Sequence, residues 1–322
     1  YISDGRLGNP NLVWEKQKQL NLGLDVTVLN NRLTFSADYF IIHNDDLLME
    51  RTLSTTSGFK NTIDNVGSLL NKGIEFNVNA KIIDQDDFKW DFGVNLSSYK
   101  NKITKLYGSV DAIYNYGGFT GVDIQREGNL FLNQSQNSIY TYKFEKIAQQ
   151  SDLERIKDID YGGRTIHPGD IIPVDVNGDN KIDDADRIVV GKKDPKFYGG
   201  FSTNFAYKNL SLNAVFNYNY GGKAISGLYE GLLNGSGEYA GITDVLDRWT
   251  PENTNSNIPR AYTGSGRYGI GETDYAVQNT SFLRMSALSL SYNFTEGFVK
   301  KVKISNLKVY VRGRNLFTIT KY

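Results

Sequence analysis

The chain has 322 residues, no cysteine, and 36 basic against 36 acidic side chains. Disulfide and thiolate-metal frameworks are therefore excluded, and no charge excess points to nucleic acid or to an acidic partner. Hydrophobic residues make up 39% with a mean hydropathy of −0.42, and no stretch approaches the roughly 18 apolar residues of a membrane-spanning helix, which excludes a helical membrane protein.

Leu20, Leu22, Leu24, Val26 and Val28 alternate with Asn21, Gly23, Asp25 and Thr27, and beyond Asn30-Asn31 the residues Leu33, Phe35, Ala37, Tyr39 and Ile41 alternate with Thr34, Ser36 and Asp38. Successive strand side chains point to opposite faces, so a period of two predicts a hairpin with one apolar and one polar face. Asn-Asn tolerates positive φ and predicts a two-residue turn. Each apolar run covers about nine residues, close to the roughly 9–11 with which a tilted strand crosses a bilayer.

The pattern recurs along the chain. Ile74, Phe76, Val78, Ala80 and Ile82 lead through Gln85-Asp86-Asp87 to Phe88, Trp90, Phe92, Val94 and Leu96. Phe201, Phe205 and Tyr207 turn at Lys208-Asn209 into Leu210, Leu212, Ala214, Phe216, Tyr218 and Tyr220. Leu288, Leu290, Tyr292 and Phe294 form one more strand, and Leu307, Val309 and Val311 another, about eight in all. Leu283 and Met285 are out of phase with Leu288. Either a β-bulge near Ser286-Ala287-Leu288 restores their facing, or they extend above a bilayer.

A soluble sandwich gives the same alternation, with its apolar face as core, so loop lengths have to separate the two. Connections at 30–31, 84–87, 208–209 and about 295–305 are short, whereas those at about 45–66, 104–197 and 222–278 are long, and the two kinds alternate strictly. Outer-membrane barrels sort their loops in this way. Compact soluble domains rarely carry unstructured connections above roughly 12–15 residues. The expectation is an all-β, antiparallel transmembrane β-barrel across residues 1–322, with extracellular loops at 104–197 and 222–278. The 13% of aromatic residues suits aromatic girdles.

Four motifs then carry a family resemblance: Asn9-Pro10-Asn11-Leu12-Val13-Trp14-Glu15-Lys16; Asn65-Val66-Gly67 with Asn71-Lys72-Gly73-Ile74-Glu75; Asp175-Val176-Asn177-Gly178-Asp179; and Arg314-Asn315-Leu316-Phe317-Thr318 running to Tyr322. In order and spacing they resemble the C-terminal barrel half of SusC-like TonB-dependent outer-membrane transporters of Bacteroidetes. The resemblance implies the C-terminal part of a roughly 22-stranded barrel with a plugged lumen. It also implies a SusD-like surface lipoprotein lid, energising by TonB through an N-terminal part upstream, and import of oligosaccharides or, in some members, oligopeptides. The plug and TonB box are expected upstream of residue 1, and Tyr322 is read as a cut ahead of a last strand. The chain starts without a signal peptide, as a processed product or fragment would.

The densest local chemistry is Asp175-Val-Asn177-Gly-Asp179-Asn-Lys181-Ile-Asp183-Asp-Ala-Asp186. Calcium takes several oxygens at about 2.3–2.6 Å, and the EF-hand loop supplies them from positions 1, 3, 5, 7, 9 and 12. Those positions hold Asp175, Asn177, Asp179, the carbonyl of Lys181, Asp183 and Asp186, in the dockerin-like form with Asp at the twelfth. Asn180 replaces the usual Gly at the sixth position and is expected at positive φ. A structural calcium ion is the expectation, because five carboxylates within twelve residues repel without a counter-charge. An Asp/Asn turn bonding its own backbone is the competing reading.

Arg312 and Arg314 share the lumen-facing phase, either touching a plug or solvated in a polar interior. The long loops carry Tyr107, Tyr114, Tyr116, Tyr140, Tyr142, Tyr229, Tyr239, Trp249, Tyr262 and Tyr268, suited to ligand contact or to packing loop on loop. His43 and His167 are the two histidines, and no nucleophile elbow, phosphate loop or paired-carboxylate site is present, so no enzyme is expected. Two functions follow as expectations: an energised importer in contact with outer-membrane lipid, and a soluble calcium-stabilised β-sandwich acting as a surface binding module.

Overall fold

A computed structural model describes residues 7–59, 61–114, 129–233, 241–262, 266–301 and 303–322. Eight long strands carry the fold: β1 (Lys16–Val28), β2 (Leu33–Thr52), β3 (Asn61–Asp84), β4 (Phe88–Leu106), β5 (Phe197–Tyr207), β6 (Leu210–Tyr220), β7 (Phe282–Asn293) and β8 (Lys308–Thr320). They pair with their chain neighbours as one antiparallel meander in sequence order. The sheet is open, with β1 and β8 as its edges among the described residues.

The register carries the alternation across all eight strands. Val26 faces Phe35 and Phe35 faces Val78; Val78 faces Val94, Val94 faces Phe201, and Phe201 faces Phe216. Because a side chain keeps its face only while the pairing stays in step, this chain of partners makes one apolar band across the sheet. Two further residues join it through a bulge. On the β6 side Val215 and Phe216 take Ala287 and Met285, so Ser286 has no opposite residue. On the β8 side Asn315 and Leu316 lie opposite Ser286, with Asn315 at φ +50. The bulge turns Met285 and Leu283 back to the apolar face.

All tight turns lie at one rim. The Gln85-Asp86-Asp87 turn closes by a bond from Gln85 N to Phe88 O (3.0 Å), and Lys208-Asn209 joins Tyr207 to Leu210 directly. The first turn is longer than Asn30-Asn31, spanning 29–32 with Leu29, Asn30 and Asn31 all at positive φ. Arg32 accompanies the difference: just ahead of β2 it bonds to β3 through its own carbonyl and through its guanidinium, which reaches Ile82 O at 2.8 Å. Between β7 and β8 the rim carries a one-and-a-half-turn helix, Glu296–Lys301, whose Val299 is buried.

At the other rim the strands run on. Residues 45–66 are not a long loop: β2 continues to Thr52, β3 begins at Asn61, and only 53–60 connect them. With 20, 24 and 19 residues, β2, β3 and β4 exceed a bilayer crossing about twofold. Alternation lapses there because both faces meet water or protein, while backbone pairing continues. The described residues of 107–196 and 221–281 lie beyond this rim, and the main hydrophobic core lies in them, not in the sheet.

Candidate functional site

The two faces of the sheet define the first half of the site. The apolar face is bare: Leu22 is 60% exposed and Val311 73%, and Phe35, Phe76 and Trp90 are only partly covered, by ring neighbours in the same sheet. No second sheet packs on it among the described residues, which overturns the soluble sandwich. Aromatic rings gather towards both rims of the band. Trp90 and Phe205 stack at 5.3 Å near the tight turns, and Phe197 and Tyr220 at 4.9 Å near the loops. Trp90 Nε1 donates to Thr203 Oγ1 at 2.9 Å, so its one polar group is satisfied within an apolar surface. The opposite face carries Asp25, Asp38, Glu75, Asn77, Asn95 and Ser289, with Arg312 lying 5.8 Å over the Tyr310 ring on the β8 edge.

The motifs nearest the chain start are a clamp. Asn65 bonds Val13 in both directions at 2.9 Å and donates to Asp46 O at 2.7 Å, while Asn9 Nδ2 reaches Ile63 O and Asp64 Oδ1. The segment ahead of β1 is thereby tied along the upper part of β3. Gly73 lies beneath Phe40 and against Ser98 O, where a Cβ would come within 2.6 Å of both.

Above the sheet, the two long loops share one core. Ile147, Ile156, Ile171, Ile172 and Ile182 from the first pack with Leu233, Tyr268, Ile270 and Ala276 from the second. Tyr140, Tyr142 and Tyr268 are buried; Tyr140 packs within the first loop against Tyr114 and Phe131, whereas Tyr142 and Tyr268 join loop to loop. Tyr142 and Tyr268 meet edge to face at 5.6 Å. Burial holds the Tyr268 hydroxyl far above its ordinary pKa and pushes Tyr161 and Tyr275 up to about 12. Trp249 and Tyr262 are also described; Tyr116 and Tyr239 lie outside the described residues.

The hub between the loops is Asp170, fully buried. Arg260 grips it with two nitrogens, Nε to Oδ1 at 2.7 Å and Nη2 to Oδ2 at 3.1 Å. Arg267 Nη1 stands 3.6 Å from Oδ1 and donates to Arg260 O at 2.7 Å, and His167 N donates to Oδ2 at 2.9 Å. Sequence reasoning missed this cluster, because partners 90 residues apart in two irregular loops leave no periodicity to read.

The acidic loop folds as a run of side-chain-capped turns. Asp175 accepts from Gly178 N and Asn180 N, Asn177 from Asp179 N, Asp179 from Lys181 N, and Asp183 from Ala185 N. Asp186, fully buried, accepts from Val176 N and Asp183 N. Asn180 takes φ +62, as expected at the sixth position. Lys181 pairs with Asp183 at 2.7 Å, and its hydrogen bond holds that carboxyl below the usual range; Arg187 pairs with Asp184 at 3.3 Å. Among the described residues no three carboxylate or imidazole groups converge where one cation would sit.

Residues 2–316 match the family described as TonB dependent receptor-like, beta-barrel. TonB-dependent receptor P3 of Formosa agariphila is 35% identical over 319 residues, which is 98% of this chain and 30% of that protein. SusC of Bacteroides thetaiotaomicron is 30% identical over 326 residues, again 98% of this chain and 30% of that protein. The solved structure of the RagAB peptide transporter superposes with a TM-score of 0.79 at 25% identity, covering 98% of this chain and 33% of that one. The chain thus spans about a third of the length of the relatives it matches. A lipid-ready apolar band, two aromatic rims, one-sided long loops and these matches agree: the chain belongs to the TonB-dependent receptor β-barrel family of the outer membrane, on the SusC-like branch.

Proposed function

We propose that this chain forms part of the wall and mouth of an energised, TonB-dependent importer that takes up oligosaccharides or other large nutrients, with a SusD-like surface lipoprotein as its lid. The observation that carries this reading is the bare apolar band continuous across eight strands, capped on one side by a folded loop unit. Hydrocarbon tolerates no open sheet edge, so β1 and β8 need further strands, which fits a larger cylinder of which this is one sector. No catalytic step belongs to the reading. A second reading, oligopeptide import, is favoured by the superposition on the RagAB peptide transporter.

Uptake of labelled oligosaccharides and labelled peptides by cells with and without the parent gene tests both readings. The first expects saccharide uptake that falls on deletion and on dissipating the proton gradient, and co-purification of a surface lipoprotein with the tagged parent. Loss of peptide uptake alone favours the second, and uptake indifferent to deletion ends both.

We further propose a structural calcium ion in the loop of Asp175, Asn177, Asp179, Lys181, Asp183 and Asp186. The density of carboxylates and the positive φ of Asn180 support it. Binding would require the side chains to turn from backbone amides towards the ion, with Lys181 leaving Asp183.

A further inference from the structure

Between the two long loops lies an open cleft of about 910 Å³, walled by residues 149–151 and 168 on one side and 248–251, 254 and 260–261 on the other. That volume is in the range of small-molecule sites, roughly 300–1,000 Å³. Its chemistry is selective. Trp249 borders it, held in place by an Nε1 hydrogen bond to Gln149 Oε1 (3.2 Å) and by Gly169, where a Cβ would come within 2.5 Å of the ring. A ring packed against backbone on one side and set in a fixed orientation is a rigid platform. Pro168 and Pro251 add apolar surface, and Gln150 and Thr254 add neutral polar groups.

Charge decides the ligand class. Among the described residues no carboxylate lines the cleft. Arg260 is neutralised by Asp170, whereas Arg248, whose Nη1 donates to Val245 O at 3.2 Å, has no ion pair among the described residues. The lining therefore offers one aromatic face, neutral hydrogen-bonding groups and one uncompensated guanidinium. A cationic peptide finds no counter-charge there, and a neutral sugar can accept hydrogen bonds from the guanidinium but brings no charge to match it. We infer that this cleft binds an acidic oligosaccharide, with Trp249 stacking on a sugar ring and Arg248 receiving a carboxylate or sulfate. This rests on the importer reading and narrows it to a substrate class.

Calorimetry on the detergent-solubilised full-length parent tests it, using hexagalacturonate, neutral maltohexaose and an unrelated basic hexapeptide as probes. Hexagalacturonate is expected to bind most tightly. Arg248→Gln is expected to weaken it about 10- to 100-fold, the loss of one charged hydrogen bond, and to leave maltohexaose within about twofold. Trp249→Ala weakens both sugars, and Trp249→Phe restores most of the loss. Limited proteolysis of the loops shows whether each variant stays folded, and if Trp249→Ala opens them, Arg248→Gln alone decides. The inference fails if hexagalacturonate does not bind, if its affinity is unmoved by Arg248→Gln, or if the basic peptide binds more tightly. Cellular uptake and lipoprotein co-purification, scored separately, keep the importer reading distinct: unchanged uptake with unmoved affinity removes the cleft alone.

Discussion

Replacing Asp170 by Ala loosens one long loop from the other and leaves the barrel intact. The substitution removes the carboxylate that Arg260 holds bidentately and strands Arg267, whose side chain is 5% exposed, without its counter-charge. Breaking a buried ion pair by deleting one partner costs about 3–5 kcal/mol. At about 1.4 kcal/mol per factor of ten, local opening of the loops becomes roughly two to three and a half powers of ten more frequent. Hydrogen exchange on the full-length parent reads this at the amides of Ala148, Gly169 and Arg260, which bond to Asp170 O, Ala148 O and Gly169 O in the same hub. Barrel amides exchange through a different opening and are expected to keep their protection. Asp170→Asn keeps the shape and loses the charge, and falls between. Unchanged exchange in the loops, or equal acceleration in β1 to β8, would falsify the view that this one carboxylate docks one loop on the other.

The remaining predictions address the faces, the bulge, the tyrosines and the acidic loop. Leu22→Arg, on the lipid side, is expected to destabilise the folded barrel by about 2–4 kcal/mol, while Asn21→Arg on the polar side is tolerated; equal effects on heat-modified gel mobility would refute the facing. Deleting Ser286 with Ala287 sets Met285 next to Leu288 and swings either Leu283 and Met285 or Leu288 and Leu290 to the polar face, so membrane-inserted protein should fall sharply, whereas deleting Ser286 alone keeps all four in one phase and is expected to be milder. Buried Tyr161 and half-buried Tyr275 are pushed up to about 12 against an ordinary 10.0, so the folded loops bind their protons more tightly than the unfolded chain does. The stability they contribute is complete below pH 10 and lost as the pH climbs towards 12. Tyrosinate absorbance rising ahead of loop proteolysis, at pH near 10, would contradict this. Calcium added to EDTA-stripped parent should protect residues 150–195 from protease; identical cleavage with and without the ion would remove calcium from the loop.

The two-faced sheet was legible from residues 20–41 alone, since a strand between two environments must alternate, while its place in a membrane took the loop lengths and the family motifs. The bulge at Ser286 was legible too, as a phase error between Met285 and Leu288. Two boundaries were not: β2 and β3 run past residue 45 because backbone pairing outlasts the bilayer that enforces the pattern, and the first turn is longer where Arg32 bonds to a strand 49 residues away. Sequence by itself determined which side chains share each face of the sheet, because that is a local choice made residue by residue. Only the tertiary structure decided the loop unit, because Asp170, Arg260, Trp249 and Gln149 acquire partners through chain crossings that no local pattern encodes.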